Sequence, residues 1–172
     1  MEFLVPESLE TERLLLRQFR DGDFEDLHQY YGDEAATRFT FGRRLTPGDT
    51  WRIMCGMLGH WQLRGYGPYA VEARASGQVL GTVGFWYPVD WPEPEIKWAL
   101  ARRHWGQGFA SEAARAVQAA GREYLADISL ISLIHRDNEP SIRLARSIGA
   151  RFDREFVHEG ETCHIYRHPP GP

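Results

Sequence analysis

Lysine is almost absent from this sequence of 172 residues, in which Lys97 stands beside 19 arginines. A phosphate-binding loop of the G-x-x-x-x-G-K-[ST] type is excluded, because Lys97 follows Ile96 and precedes Trp98. Cysteine is also scarce, with only Cys55 and Cys163, which lie far apart in the sequence. A disulfide scaffold and a four-cysteine zinc site are therefore not expected, and two free, buried thiols are predicted.

Long apolar runs are missing as well. No run approaches the roughly 18 to 20 residues that a membrane helix needs, and residues 1–12 are acidic where a signal peptide would be basic. We therefore expect a cytoplasmic protein with no membrane partner. The sequence has 24 acidic and 20 basic residues, a formal net charge of −4, so its global charge indicates no nucleic acid partner.

Hydrophobic residues recur at helical spacing in four segments and at strand spacing, or as short apolar runs, in seven. Helices are predicted at 23–31, 47–64, 110–125 and 139–148. Strands are predicted at 9–17, 69–73, 79–87, 95–101, 128–134, 152–158 and 162–167. In the third helix an alanine-rich stripe faces inward and Gln118 faces outward.

The order of these elements predicts the fold class. The second to fourth strands follow one another with short connections, which indicates an antiparallel meander, and the strand, helix and strand after them imply one parallel crossover. No segment repeats along the chain. We predict an α+β, or mixed α/β, fold in a single domain spanning residues 1–172.

A glycine turn lies between the strand at 95–101 and the next helix. Gly106 and Gly108 let backbone N–H groups turn toward one point, where the first helical turn adds unpaired amides and a partial positive charge. This pattern suits a phosphate or pyrophosphate. Arg103 would add a fixed positive charge to that of the amides. The alternative is that the glycines only make a tight turn. A dinucleotide fold fits poorly, because Ser111 takes the place of the third glycine and the meander is wrong for an open parallel sheet.

A second polar segment, at residues 136–141, ends one strand and begins the last helix. Asn138 is a preferred helix cap and Pro140 is tolerated in the first turn, so a structural role explains both. A functional role is also open, because Ser141 would project its hydroxyl from a helix N-terminus. The positive potential there favours an anion such as a leaving thiolate.

Together these features run in the order meander, R-x-x-G-x-G, helix, strand, N-x-x-S, helix and G-x-x-F. This order resembles the GNAT superfamily of acetyl-CoA-dependent N-acetyltransferases, and more narrowly the branch of bacterial ribosomal-protein N-terminal acetyltransferases, whose typical opening is similar to residues 9–17. The resemblance covers nearly the whole chain. It implies a central mixed, mostly antiparallel sheet of about seven strands, flanked by helices and splayed at the fourth and fifth strands.

The resemblance also implies where acetyl-CoA, as co-substrate, would bind. The strand before the glycine turn would pair its backbone with the pantetheine arm like an added strand, a role that falls on Trp98, Ala99, Leu100 and Ala101. The pyrophosphate site falls on Arg103, Gly106, Gln107, Gly108, Phe109 and Ala110. Asn138 matches an asparagine that contacts the pantetheine arm, and Ser141 matches a general acid for the departing CoA thiolate.

Glu95 matches an acidic residue that acts in this family, through water, as the base for the attacking amine. A free α-amine has a pKa of about 8 and must lose a proton before it attacks a thioester, and a buried carboxylate of raised pKa could receive that proton. The oxyanion would be held by a backbone N–H of the splayed strand. The alternative for Glu95 is an exposed strand carboxylate. Lys97 departs from the family pattern, and a salt bridge from it to Glu95, on its own face of the strand, would lower the carboxylate pKa.

The expected acceptor is a primary amine, either a protein N-terminus or a small molecule such as an antibiotic, and a non-catalytic acyl-CoA-binding module is the other function considered. A monomer or homodimer is expected. No metal site is predicted, because His158, His164 and His168 lack supporting carboxylates or cysteines. The resemblance places the acceptor groove between the helical segment of residues 20–65 and the loops near residues 86–87 and 91. The aromatic residues that could line it, or belong to the core, are Trp51, Trp61, Tyr66, Trp86, Tyr87 and Trp91. Asp90 and Glu93 could attract a cationic amine or be solvated loop acids.

Overall fold

The strands form one sheet in the computed structural model, which describes residues 3–170. They are β1 (Ser8–Glu10), β2 (Leu14–Arg17), β3 (Pro68–Ala73), β4 (Val79–Trp86), β5 (Glu95–Leu100), β6 (Ile131–His135), β7 (Arg151–His158) and β8 (Glu161–Arg167). The helices are α1 (Phe24–Tyr31), α2 (Glu34–Thr37), α3 (Pro47–Arg64), α4 (Phe109–Tyr124) and α5 (Glu139–Ser147), with 3-10 turns at Asp21–Asp23 and Arg102–His104. The mixed α/β class and the positions of the four long helices are confirmed.

The first predicted strand is two strands joined by a tight turn. The Thr11 N–H donates to the Leu14 carbonyl, and the Leu14 N–H donates to the Thr11 hydroxyl at 3.0 Å. This turn folds β2 back antiparallel to β1. The sheet therefore has eight strands rather than about seven, because a threonine side chain that satisfies a backbone amide can replace a strand hydrogen bond.

The strand order is β1-β2-β3-β4-β5-β6-β8-β7, and every neighbouring pair is antiparallel except β5 and β6. β4 and β5 stay in register over the whole of β5, whereas β5 and β6 are paired only at Glu95 and Ile131. Beyond that pair the two strands diverge, as expected for the fourth and fifth predicted strands. We call the resulting gap, between residues 97–100 and 132–135, the splay.

Both faces of the sheet are covered, and β5 contributes to both cores. Ile96 and Leu100 pack on the face that carries α4, whereas Ala99 packs with α1 and α3 on the opposite face. Side chains alternate along a strand, so Glu95 and Lys97 share the face of Ala99. The candidate base and the lysine therefore both face the side of the sheet where α1 and α3 lie.

A buried hydrogen-bond network connects the last described residues to β5. Gln118 is buried rather than outward-facing, and its amide donates to the Ile148 carbonyl and to His168 Nδ1. His168 Nε2 therefore carries the ring proton and lies 3.0 Å from the Ser132 hydroxyl, which donates to the Ile96 carbonyl. We call this the His168 network; it fixes β6 against β5 at the closed end of the splay.

The two cysteines differ in exposure: Cys163 is buried as predicted, but Cys55 is exposed on α3. None of the helices within residues 3–170 combines the length and the apolar character needed to cross a bilayer.

Candidate active site

Two cavities meet where β5 leaves β6. The first, of about 690 Å³, lies at the N-termini of α4 and α5, and we call it the α4 cavity. The second, of about 550 Å³, is on the α1 and α3 side and contains Glu95, and we call it the Glu95 cavity. Seven residues line both cavities: Tyr30, Phe39, Thr40, Trp98, Ala99, Asn138 and Ser141.

The glycine turn shapes one end of the α4 cavity. Gly106 and Gly108 have φ values of +72° and +81°, which L side chains rarely adopt, and Gly108 is the N-cap of α4. Thr46 and Asn138 cap α3 and α5 with side-chain oxygens, whereas no side chain caps α4 in the described chain. The first amides of α4 are thus available to an external anion, at the positive end of the helix dipole.

The charges around the α4 cavity also suit an anion. Arg38 and Arg143 line it, and no aspartate or glutamate is among its lining residues. The sequence-predicted residues that line it are Trp98, Ala99, Leu100, Gly106, Gly108, Phe109, Ala110, Asn138 and Ser141.

The other three predicted cofactor residues lie elsewhere. Ala101 is in the core, and Gln107 is exposed, with its side-chain amide donating to the Arg103 carbonyl. The Arg103 guanidinium turns toward α1, where it lies 3.5 Å from the Asp26 carboxylate, and its Nε contacts His104. Their roles toward a cofactor stay predictions.

Arg13 is the residue at the glycine turn that sequence reasoning missed. From the β1–β2 turn it donates to the Gln107 carbonyl at 3.0 Å, and its guanidinium stacks on the Phe109 ring at 4.4 Å. It also pairs with Glu112 at 2.7 Å and so neutralises the carboxylate in the first turns of α4. Burial opposes the ionised form of Glu112, but hydrogen bonds from Thr11 and Arg13 lower its pKa overall. The contact spans about 100 positions of sequence, and no local pattern signals it.

The backbone edge of β5 faces the splay with few internal partners. The Ala101 N–H donates to Leu80 on the β4 side, so alternation turns residues 96, 98 and 100 toward the splay. The Ile96 carbonyl accepts from Ser132, and the Leu100 carbonyl accepts from the Trp105 indole at 2.7 Å. The backbone N–H and carbonyl of Trp98 then remain free to pair with a ligand that binds like an added strand. The backbone N–H of Ala101 donates to β4 instead, so the segment available to pair with a ligand is shorter than the four residues expected from the family resemblance.

Glu95 is only 5% exposed, so it is not the solvent-facing carboxylate that was the alternative. Its Oε2 accepts a hydrogen bond from the Leu133 N–H at 3.1 Å across the splay. Burial raises the pKa of Glu95 to about 7, against the opposing effects of the Leu133 hydrogen bond and of Lys97. Near neutral pH this carboxyl group can both accept and release a proton.

Lys97 forms no ion pair with Glu95 among the described residues. Its Nζ lies over the Trp86 ring, 5.3 Å from the ring centroid. Burial lowers the pKa of Lys97, and the charge of Glu95 opposes that shift. The expected salt bridge is therefore replaced by a cation–π contact, and the burial of Glu95 outweighs the influence of the lysine on it.

Ser141 lies where the two cavities join. Its hydroxyl accepts a hydrogen bond from the Trp98 indole N–H at 3.1 Å, which leaves its own proton free to be donated. Its backbone N–H donates to the Asn138 side chain, the cap that the sequence predicted. The hydroxyl is thus oriented by β5 and by the first turn of α5 together.

The aromatic residues considered for the acceptor groove divide into two groups. Trp86 and Trp91 line the Glu95 cavity. Trp61 and Tyr66 belong to the core, Trp51 packs on Phe24, and Tyr87 stacks with Arg64. Of the two loop acids, Asp90 lines this cavity, whereas Glu93 forms ion pairs with Arg154 and Arg167. No group of three or more potential metal ligands is found within residues 3–170.

Comparison with known proteins identifies the family. A family model described as an acetyltransferase (GNAT) domain matches residues 13–151. The chain belongs to the GNAT acetyltransferases. The sheet with its splay, and the glycine turn at the start of α4, thus lie in an acetyltransferase enzyme, as the resemblance implied.

Relatives of this GNAT acetyltransferase are found in bacteria. The uncharacterized N-acetyltransferase p20 of Bacillus licheniformis is 32% identical over 144 residues, 83% of this chain and 81% of that protein. The structure of an acetyltransferase from Agrobacterium tumefaciens has a TM-score of 0.85 and 28% identity, covering 98% of this chain and 97% of that one. A ribosomal L7/L12 alpha-N-protein acetyltransferase in complex with coenzyme A shares the fold, with a TM-score of 0.73 and 20% identity over 95% of this chain and 96% of that chain.

Proposed function

We propose that this enzyme transfers the acetyl group of acetyl-CoA to a primary amine by direct attack of the amine on the thioester. The observation that carries the proposal is the junction of the two cavities. A cavity free of carboxylates, with helix amides and arginines suited to an anion, opens beside a cavity whose buried carboxyl group has a pKa of about 7.

The α4 cavity fits acetyl-CoA as co-substrate. The free amides of α4 would hold the pyrophosphate, with Arg38 and Arg143 as further cations beside the cavity. The backbone carbonyl of Trp98, on the free edge of β5, would accept a hydrogen bond from an amide of the pantetheine arm. When bound, acetyl-CoA supplies an activated acetyl group.

The residues at the junction would carry the proton transfers. Glu95 takes a proton from the acceptor ammonium, directly or through water, so that the amine nitrogen can bond to the thioester carbonyl carbon. The backbone N–H of Trp98, which faces the splay, stabilises the oxyanion. The C–S bond then breaks, Ser141 donates its proton to the leaving thiolate, and a second proton from the attacking nitrogen replaces it on the serine, which leaves a neutral amide and CoA thiol.

The volume of the Glu95 cavity bears on the acceptor. About 550 Å³, lined by several aromatic side chains, is the size and character of a small-molecule site. This favours a small primary amine, with a protein N-terminus as the second candidate.

The test is release of free thiol from acetyl-CoA in the presence of a panel of small amines and N-terminal peptides, with mass spectrometry of the products. We expect thiol release together with an N-acetylated amine. Tight binding of CoA with no acetylated product across the panel would overturn the proposal.

A further inference from the structure

The one lysine of the chain lies in a cavity rather than on the open surface. Lys97 lines the Glu95 cavity, and its ammonium lies against the face of Trp86. No carboxylate of residues 3–170 lies within 4 Å of it, and the structure gives its Nζ no hydrogen bond. Burial at this site opposes the charge of the ammonium. An ammonium that lines a ligand cavity in this way has its donors available to an occupant of the cavity.

The other charged groups around the cavity do not substitute for Lys97. Arg52, on α3, has a mostly exposed side chain and contacts Asp49. Asp90 and Glu159 are exposed. His135 interacts with Glu161. Glu95 and Lys97 are the two charged residues that β5 contributes to the lining of the cavity.

The spacing of this pair suits a ligand that carries two charges of its own. The two residues are two positions apart on the same face of β5, so their Cα atoms are roughly 7 Å apart. An ammonium that approaches Glu95 and an anionic group that approaches Lys97 would then be separated by only a few bonds.

We propose that Lys97 binds an anionic group of the acceptor, and that the acceptor is a small amine of the amino acid class, with a carboxylate close to its amine. This rests on the proposed function, which it makes more specific. An anion beside Nζ favours the charged lysine and compensates its desolvation. The aromatic walls, among them Trp86 and Trp91, would contact the apolar part of the same molecule.

The experiment compares free amino acids with the corresponding amino acid amides, beginning with phenylalanine and phenylalaninamide. The amide has the same α-amine and nearly the same size but no carboxylate, and it also resembles a peptide N-terminus. For each acceptor, kcat/KM is measured with the wild type and with Lys97→Met, which keeps the length of the side chain. The ratio of wild type to variant cancels the different basicities of the two amines.

We expect Lys97→Met to lower kcat/KM for the amino acid by at least about tenfold, mainly through KM, and to change that for the amide by less than about twofold. Lys97→Arg should recover part of the loss. Arg64→Met is the matched control, since Arg64 also stacks on an aromatic ring, Tyr87, but does not line the cavity. It should leave both acceptors unchanged.

Equal losses for acid and amide would overturn the role of Lys97, and so would faster acetylation of amides or peptides that does not depend on it. Both outcomes keep acetyl transfer itself intact. No acetylation of any amine would instead overturn the proposed function, so the two failures are distinguishable.

Discussion

At the scale of single residues, the chemistry depends on how far each side chain is removed from water. The same type of residue has opposite properties at Glu95 and Glu93. Burial raises the pKa of Glu95 to about 7, whereas hydrogen bonds from Arg167 and Arg154 hold the pKa of Glu93 at about 2. Of these two carboxyl groups, only Glu95 can exchange a proton with an amine near neutral pH.

Replacing Glu95 with glutamine should lower kcat by 10²- to 10⁴-fold, the range of general base catalysis. In the wild type, kcat/KM should rise as the pH increases through about 7, where Glu95 loses its proton. The Glu95→Gln variant should lack this step and keep only the limb that is due to the amine. Initial rates measured as a function of pH, with CoA affinity as the control for folding, decide this. Full activity of the variant would remove the base from the mechanism.

Ser141→Ala should lower kcat by roughly 100-fold, the lower end of the range for general acid catalysis, because the leaving thiolate loses its proton donor. Trp98→Phe is the paired variant, since it removes the indole N–H that orients the hydroxyl but keeps the hydroxyl. We expect a smaller loss from Trp98→Phe in single-turnover rates. An equal loss of activity in the two variants would mean that the serine acts by holding its hydrogen bond with Trp98 and not by donating a proton.

At the scale of elements, two strands that separate and one helix without a cap make the site. Divergence of β5 from β6 exposes a backbone edge, and the absence of a capping side chain leaves the amides of α4 free. Both features are stabilised by residues distant in the sequence. Arg13 fixes the glycine turn, and the His168 network fixes the closed end of the splay. The groups that the proposal assigns to acetyl-CoA are thus largely main-chain groups.

Gly108→Glu should raise the dissociation constant of CoA by at least about a hundredfold, since it adds a side chain and a negative charge at the start of α4. Gly77→Glu is the matched control. Gly77 has a similar φ of +72°, with open space around it in the β3–β4 hairpin, so it carries the same backbone strain away from both cavities. Calorimetric titration with CoA should detect the loss only in the first variant. Equal affinities would mean that the pyrophosphate does not bind at this turn.

The elements show what the sequence could predict. Local periodicity was enough to predict the four long helices, and the spacing of Gly106 and Gly108 predicted an anion site at the start of α4. The splay was implied only by the resemblance to the GNAT superfamily. The contributions of Arg13 and Gln118 were not predictable, because their partners Glu112 and His168 lie at least 50 positions away. Whether Lys97 would pair with Glu95 depended on where Trp86 lay, which only the packed sheet determines.

At the scale of the whole molecule, the C-terminal segment is integrated into the core. The His168 network joins α4, β5, β6 and the segment directly after β8 through a histidine that is 5% exposed. Burial lowers the pKa of His168 to about 4, with Arg122 contributing. The neutral ring is therefore part of the folded state.

Stability should consequently fall on acidification. The folded pKa of His168 is below its ordinary value of about 6.5, so the unfolded chain binds the proton first as the pH falls. The contribution of His168 is fully present above pH 6.5 and is lost progressively down to about pH 4, at most about 3 kcal/mol. Urea unfolding at several pH values should show this slope, and His168→Gln should reduce it. An unchanged slope in the variant would assign acid sensitivity to other groups.

The hydrogen bond from the Leu133 amide to Glu95 also makes the protonation of this carboxyl group observable without any substrate. The amide nitrogen lies 3.1 Å from the carboxylate oxygen and donates its proton to it, so the NMR chemical shift of that proton should move downfield as Glu95 ionises. A titration of the Leu133 resonance, with a midpoint near pH 7, would report the protonation of Glu95 in the resting enzyme. The same resonance, followed while CoA or an acceptor is added, would show which of them changes the affinity of Glu95 for its proton.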